Sequence, residues 1–486
     1  MGISRLWGHV NLDNENLSFG IVTVCAVCGL MLIANVMRRK IPVFRRSLMP
    51  TAVIAGILGL VAKEVVFLVT GVYIFSRPAL GGLIYHLLPV AFIALCLRDR
   101  DNYAAEFDKG KATHERVTAA KSGTVFVSTY LIQAIIGIAV AWIFALTIMP
   151  ELNPATGVML ALGYGQGPQQ ANAAGYIWDH GGYMAAWGPG AARNFGLTIA
   201  GLGFLWASIP GIILTNAIAK KKGIKIRRDE YQKSGDLASY KIEGPDEVPL
   251  SESIDKFTLQ VCMVGGVYLL TIGLIIALEI GFRVSGVPFL VDLVPTLWGF
   301  AFMIAVLVAL CVKLVLRRLV KSGIMHRKYP NSFMMNRISG LAFDFAIVSA
   351  LCSISIGALG SLWLPVLAMT AAGGLGCMLY LRLLCNHIYK DYKDEAFLAM
   401  YGTLTGTIAN GMILLREIDS EFKTPAGNNL VLGSSAAIVF GIPLLLLIAQ
   451  APRPGNFWWV TLVIVLYFLA LTVFQLKGVI FRRRER

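Results

Sequence analysis

Eleven stretches of this chain run apolar for close to 20 residues each, and that pattern leaves little choice of fold. A helix needs about 20 apolar residues to cross the hydrocarbon core of a bilayer. The runs lie at about 18–37, 48–70, 80–97, 122–148, 195–217, 258–280, 289–316, 340–358, 363–386, 428–450 and 457–476. Lys63 and Glu64 interrupt the second, which leaves room for a bend there. Of the 486 residues 56% are hydrophobic and 15% charged, against about 25% charged in a soluble domain. That composition excludes a cytosolic enzyme, a disordered hub and a nucleic-acid-binding domain. The net charge of +15 would by itself point to nucleic acid, so where the basic residues sit matters.

Two further segments are apolar but too rich in Gly and polar side chains for simple spans. One covers 155–194 around Gly163–Asn172, and the other covers 396–427 around Tyr401–Asn410. Gly costs about 1 kcal/mol relative to Ala in a helix interior, so glycine clusters there mark intended breaks.

The basic residues decide the topology. Let the N-terminus lie outside, with each broken segment entering and leaving on one side. The loops 38–47, 98–121, 218–257, 317–339, 387–397 and 477–486 are then inside and hold 33 Lys and Arg, while the outside loops hold 4. Cytoplasmic loops carry the Lys and Arg excess. A complete crossing by either segment would turn the later basic loops outward. The first run has its basic flank, Arg38-Arg39-Lys40, at the downstream end, the reverse of a cleaved signal peptide. The expected fold is therefore an all-α polytopic membrane protein of about 11 spans. Residues 1–217 form four spans, a re-entrant hairpin and a fifth span. Residues 258–450 repeat that order inverted, 218–257 is a cytoplasmic linker, and 451–486 adds one helix and a basic tail. The placement is the cytoplasmic (inner) cell membrane, multi-pass, with the N-terminus outside and the C-terminus inside. The charge is then a topology signal and a contact with anionic lipid headgroups rather than a nucleic-acid footprint.

Paired broken segments in an inverted repeat point to the binding site of a secondary transporter. Free N–H groups at a half-helix N-terminus attract anions, and free carbonyls coordinate cations. The first tip offers Gln166, Gln169, Gln170 and Asn172, with Gly165 and Gly167 allowing close backbone approach. The second offers Thr403, Thr405, Thr407 and Asn410, with Gly402 and Gly406. Close packing alone does not need three glutamines between 166 and 170. It does suffice for Gly201, Gly203, Gly373 and Gly374.

Charged residues near these segments are Arg193, Asp179, Arg416 and Glu417. Either arginine can pair with a substrate carboxylate, and Asp179 can serve a cation. Each is equally suited to capping a helix or snorkelling to the interface. The chain shows no metal-ligand spacing, nucleophile elbow or Walker loop. The eight cysteines, Cys25-x-x-Cys28 among them, read as small apolar residues. No enzymatic activity or cofactor is expected beyond Na⁺ as a coupling ion, held at the hairpin tips. A cation/proton antiporter of similar plan remains an alternative and needs a mid-span acid, for which Asp344 is the candidate. A membrane enzyme would need paired carboxylates, which are absent from the spans. A channel would show flux not coupled to Na⁺.

At the hairpins the sequence resembles the bacterial glutamate:sodium symporter family. The matching stretches are Arg45–Gly56, the glycine-rich 163–172 region, Gly402–Gly411 and the Arg416–Pro425 variant. The resemblance implies ten core helices in inverted repeat, two re-entrant loops and Na⁺-coupled uptake of glutamate by a dimer with a moving transport domain. It places solute and ion at the two glycine-rich tips. The first tip, Gly165–Gln170, departs from the family's Gly-Gly-His-Gly-Thr pattern, and the central loop and the last helix are additional.

Overall fold

The computed structural model describes residues 15–42, 44, 49–98, 112–224, 250–291, 293–325, 330–419 and 424–482. Arg5 and the rest of 1–14, most of the 98–121 loop, linker residues 225–249 and the last four residues of the basic tail lie outside the described residues, as do Arg45 and Arg46. Among the described residues helices are the regular structure and no strand occurs, and nine helices are long and apolar enough to cross a membrane. This is an all-α polytopic membrane protein.

The helices are α1 Glu15–Lys40, α2 Thr51–Thr70, α3 Arg77–Leu97 and α4 Ala112–Thr147. A turn at Pro154–Val158 and a π-helical turn at Ala161–Gln166 lead into α5 Pro168–His180 and α6 Ala191–Lys222. Then come α7 Leu250–Ser285, α8 Ala301–Lys321, α9 Ser332–Ser353 and α10 Trp363–Ile388. The chain ends with α11 Lys393–Thr405, α12 Ile408–Ile418, α13 Ala426–Gln450 and α14 Phe457–Arg482.

The 289–316 run differs from a single span. Short helical turns at Pro288–Val291 and Val294–Gly299 precede α8, and the chain leaves helical geometry at Phe300. Pro295 has no N–H to continue a preceding helix, and Lys313, Arg317 and Arg318 make the second half of α8 polar. The second run, by contrast, stays one helix. Lys63, buried within it, pairs with Glu64 at 3.2 Å and donates to the Ile354 carbonyl, while Glu64 accepts from the Ile356 N–H at 3.3 Å. The chain end of α9 thus solvates a charge pair that lipid could not.

Packing does not follow chain order. One core joins α4, the 154–180 segment and α6 to α10, α11, α13 and α14. A second joins α1, α2, α3 and α9, and a third joins the end of α3 to α7, α8 and α9. Thus α1–α3 pack with α7–α9, whereas α4–α6 pack with α10–α13. Both broken segments lie in the second group.

Candidate functional site

The 153–178 segment turns back on itself. At its start Asn153 Nδ2 donates to the Pro452 carbonyl at 3.1 Å, and at its finish Trp178 Nε1 donates to the Ile448 carbonyl at 3.2 Å. Both ends therefore sit beside the same end of α13. Between them the chain reaches Tyr164, whose hydroxyl donates to the Thr370 carbonyl of α10 at 2.8 Å. Helical geometry stops at Gly167, which takes φ 101°, a left-handed conformation that a side chain would strain. Pro168 then starts α5 in the first helical position, where its missing N–H costs nothing.

The second segment is tighter. Helices α11 and α12 lie face to face, so closely that a Cβ on Gly411 would fall 2.1 Å from Thr403 Oγ1. One on Gly402 would fall 2.9 Å from the Gly411 Cα. Thr407 caps α12: its hydroxyl donates to Asn410 Oδ1 at 2.8 Å, and its oxygen accepts from the Asn410 N–H at 3.4 Å.

The two tips meet against α6. A Cβ on Gly203 would lie 2.6 Å from the Thr405 carbonyl and 2.9 Å from the Tyr164 ring, so glycine lets both tips touch the helix. Gly201, Gly373 and Gly374 are likewise points of close side-chain packing. From α4, Gln133 reaches both tips. Its Nε2 donates to the Leu404 carbonyl at 2.7 Å, and its Oε1 faces Gly165, where a Cβ would come within 2.7 Å.

Unsatisfied polar atoms gather here. Gln133 Oε1, Gln166 Nε2, Gln170 Oε1, Asn410 Nδ2, Tyr401 OH and Ser208 Oγ are buried without a hydrogen-bond partner. Each such group is disfavoured by about 1–3 kcal/mol unless something arrives to bond it. Thr403 and Thr405 donate to the Ala399 and Tyr401 carbonyls one turn back, at 2.9 and 2.7 Å, which leaves their oxygen lone pairs available. The positive N-terminal ends of α5 and α12 lie at the same breaks. Gln169, whose Oε1 stays near Gly167, and Asn172 face away from the second tip. They line a small crevice against Tyr85 and Pro89 of α3 and Phe302 of α8, on the boundary between the two helix groups.

The charged candidates stand apart from the tips. Asp179 accepts from the Ala192 N–H at 2.9 Å and from Arg193 Nε at 2.8 Å, so it caps α6 and holds Arg193. Arg416 is exposed in the last turn of α12. The Arg416–Pro425 stretch is only partly described, since 420–423 lie outside the described residues. Asp344 is exposed on α9. Among the described residues no group of His, Cys, Asp or Glu is arranged to hold a metal ion. No family model, no curated protein and no solved structure matches the chain.

Sequence reasoning overlooked Gln133, Tyr164, Tyr401 and Ser208. Gln133 carried a signal, as the one amide in the otherwise apolar middle of the 122–148 run. The Tyr-Gly steps at Tyr164-Gly165 and Tyr401-Gly402 were another, since both tyrosines are fully buried at the tips.

Proposed function

We propose that the chain is a secondary active transporter that carries glutamate or a similar small anionic solute together with Na⁺. The observation that carries this reading is the meeting of two broken helical segments against Gly203, with unpartnered buried amides on both. The ends of α5 and α12 present N–H groups to an anion, and the interrupted turns before them present carbonyls to a cation. No charged side chain is needed in such a site, and none of the tip residues is charged.

The helix pairings favour an inverted repeat, which agrees with the same reading. Helix α2 packs on α9 as α8 packs on α3, and α1 packs on α2 as α7 packs on α8. Such pairings arise when α1–α3 and α7–α9 are two copies related by a two-fold axis. The two broken segments are then re-entrant hairpins from opposite faces, and α4–α6 with α10–α13 form the moving part. The crevice at Gln169, Asn172 and Pro89 lies on the surface where that part would slide. The charge asymmetry of the loops favours the cytoplasmic membrane with the N-terminus outside, and the family resemblance favours a homodimer. The antiporter alternative rests on Asp344 of α9, in the helix group that does not carry the broken segments.

The test is a binding panel of amino acids and dicarboxylates on the purified chain, with NaCl or choline chloride. Tight binding of an anionic solute only in NaCl supports symport. Binding that is indifferent to Na⁺, or confined to neutral and cationic solutes, contradicts it.

A further inference from the structure

We infer that Gln133 Oε1 is a ligand for a monovalent cation held between the two hairpin tips. The inference rests on the Na⁺-coupled reading above and specifies where the ion sits. Gln133 is fully buried on α4. Its amide orientation is determined: Nε2 donates to the Leu404 carbonyl at 2.7 Å and lies 3.5 Å from Cys377 Sγ. The reversed amide would set two acceptor oxygens against each other. Oε1 is therefore held on the other side, towards Gly165 and beside the Tyr130 ring, where it has no donor.

The surroundings suit a cation. The carbonyls of residues 163–166 lie at the end of a helical turn that stops at Gly167. Pro168, just beyond, has no N–H to give them. The partial negative charge of a helix C-terminus gathers at such carbonyls. Among the described residues no Lys, Arg or His is hydrogen-bonded to Gln133 Oε1. The donors on hand are uncharged oxygens, the chemistry of a hard cation. Divalent sites of that class lean on carboxylates, and neither tip contains Asp or Glu. A monovalent ion such as Na⁺ fits this set.

The placement also accounts for coupling. One glutamine touches the second tip through Nε2 and faces the first through Oε1. An ion at Oε1 therefore ties the two tips together, and the anionic solute finds the N-terminal ends of α5 and α12 already aligned.

The experiment is thermal unfolding of the purified full chain without solute, titrated with NaCl against choline chloride. The wild type is expected to gain stability with Na⁺ and not with choline. Gln133→Met keeps the length and removes the oxygen; it should raise the Na⁺ midpoint by about tenfold or more. Gln133→Glu keeps an oxygen and adds charge; it should move the midpoint and make it depend on pH. This second variant decides the matter if the first fails to fold. A sodium response in the wild type with unchanged midpoints in the variants overturns the Gln133 site and leaves Na⁺ coupling standing. A wild type indifferent to Na⁺, Li⁺ and K⁺ alike overturns the coupling reading, and this inference with it.

Discussion

Lys222 Nζ lies 2.6 Å from Glu395 Oε1, which ties the basic end of α6 to the first turn of α11. Asp394 joins the same cluster at 3.6 Å from Lys222 and 2.5 Å from Arg382. Two acids in the first turn of α11 also complement its helix dipole. The second hairpin therefore starts from a fixed point, anchored to α6 and α10. Removing the cation by Lys222→Met leaves Glu395 with both oxygens unpartnered, since Oε2 already lacks a bond. The expected loss is on the order of 1 kcal/mol, limited because Lys222 is partly exposed. Chemical unfolding of the two proteins in one detergent measures it.

The same cluster makes stability depend on acid. Burial works against the Asp394 carboxylate, but the Arg382 hydrogen bond and the charges of Arg382 and Lys222 outweigh it and hold its pKa below the ordinary value. A depressed folded pKa gives stability that is complete above the unfolded value of about 3.9 and is lost as pH falls through the folded one. Asp394→Asn should therefore narrow the stability difference between pH 6 and pH 3, two conditions chosen about either side of that value. An identical pH profile for variant and wild type would remove Asp394 from the acid response.

Arg193 and Asp179 are expected to act on stability rather than on solute affinity. Each satisfies the other, and Asp179 also caps α6. Asp179→Ala should cost about 1–2 kcal/mol through the lost cap and the stranded arginine. A double-mutant cycle with Arg193→Ala should show coupling of about 0.5 kcal/mol or more. Solute binding by Arg193→Ala within a few-fold of wild type agrees with this placement, and its abolition would return Arg193 to the site.

Glycine substitutions should separate close contacts from open surface. A Cβ on Gly137 would sit 2.0 Å from the Gly157 carbonyl, so Gly137→Val cannot be accommodated where α4 crosses the start of the first hairpin. Gly265 on α7 has no neighbour within 4 Å, and Gly265→Ala should be neutral or gain about 1 kcal/mol of helix propensity. Size-exclusion profiles of detergent extracts should show monodisperse Gly265→Ala and little folded Gly137→Val.

Much of the architecture was legible because the bilayer imposes it. Long apolar runs can only be helices in lipid, and most expected spans appear as helices of matching extent. The breaks at Gly167 and Gly406 were legible for a related reason, since glycine and amides have no use in a uniform span. The 289–316 run misled because hydropathy does not register what Pro295 and Phe300 do to backbone geometry. The pairing of Asp179 with Arg193 was hidden because the partners are 14 residues apart across a turn. Gln133 was hidden for a different reason. A single amide in an apolar run has no periodicity, and its role depends on Leu404 and Gly165, which only the fold brings to it.

The most direct measurement of the central claim is solute uptake into proteoliposomes under an inward Na⁺ gradient. The account predicts saturable accumulation of an anionic solute above its external concentration, collapsing when the gradient is dissipated. Asn410→Ala and Gln170→Ala, at the two tips, should each reduce it strongly. Uptake that persists without Na⁺, or that both variants perform as well as wild type, would contradict it.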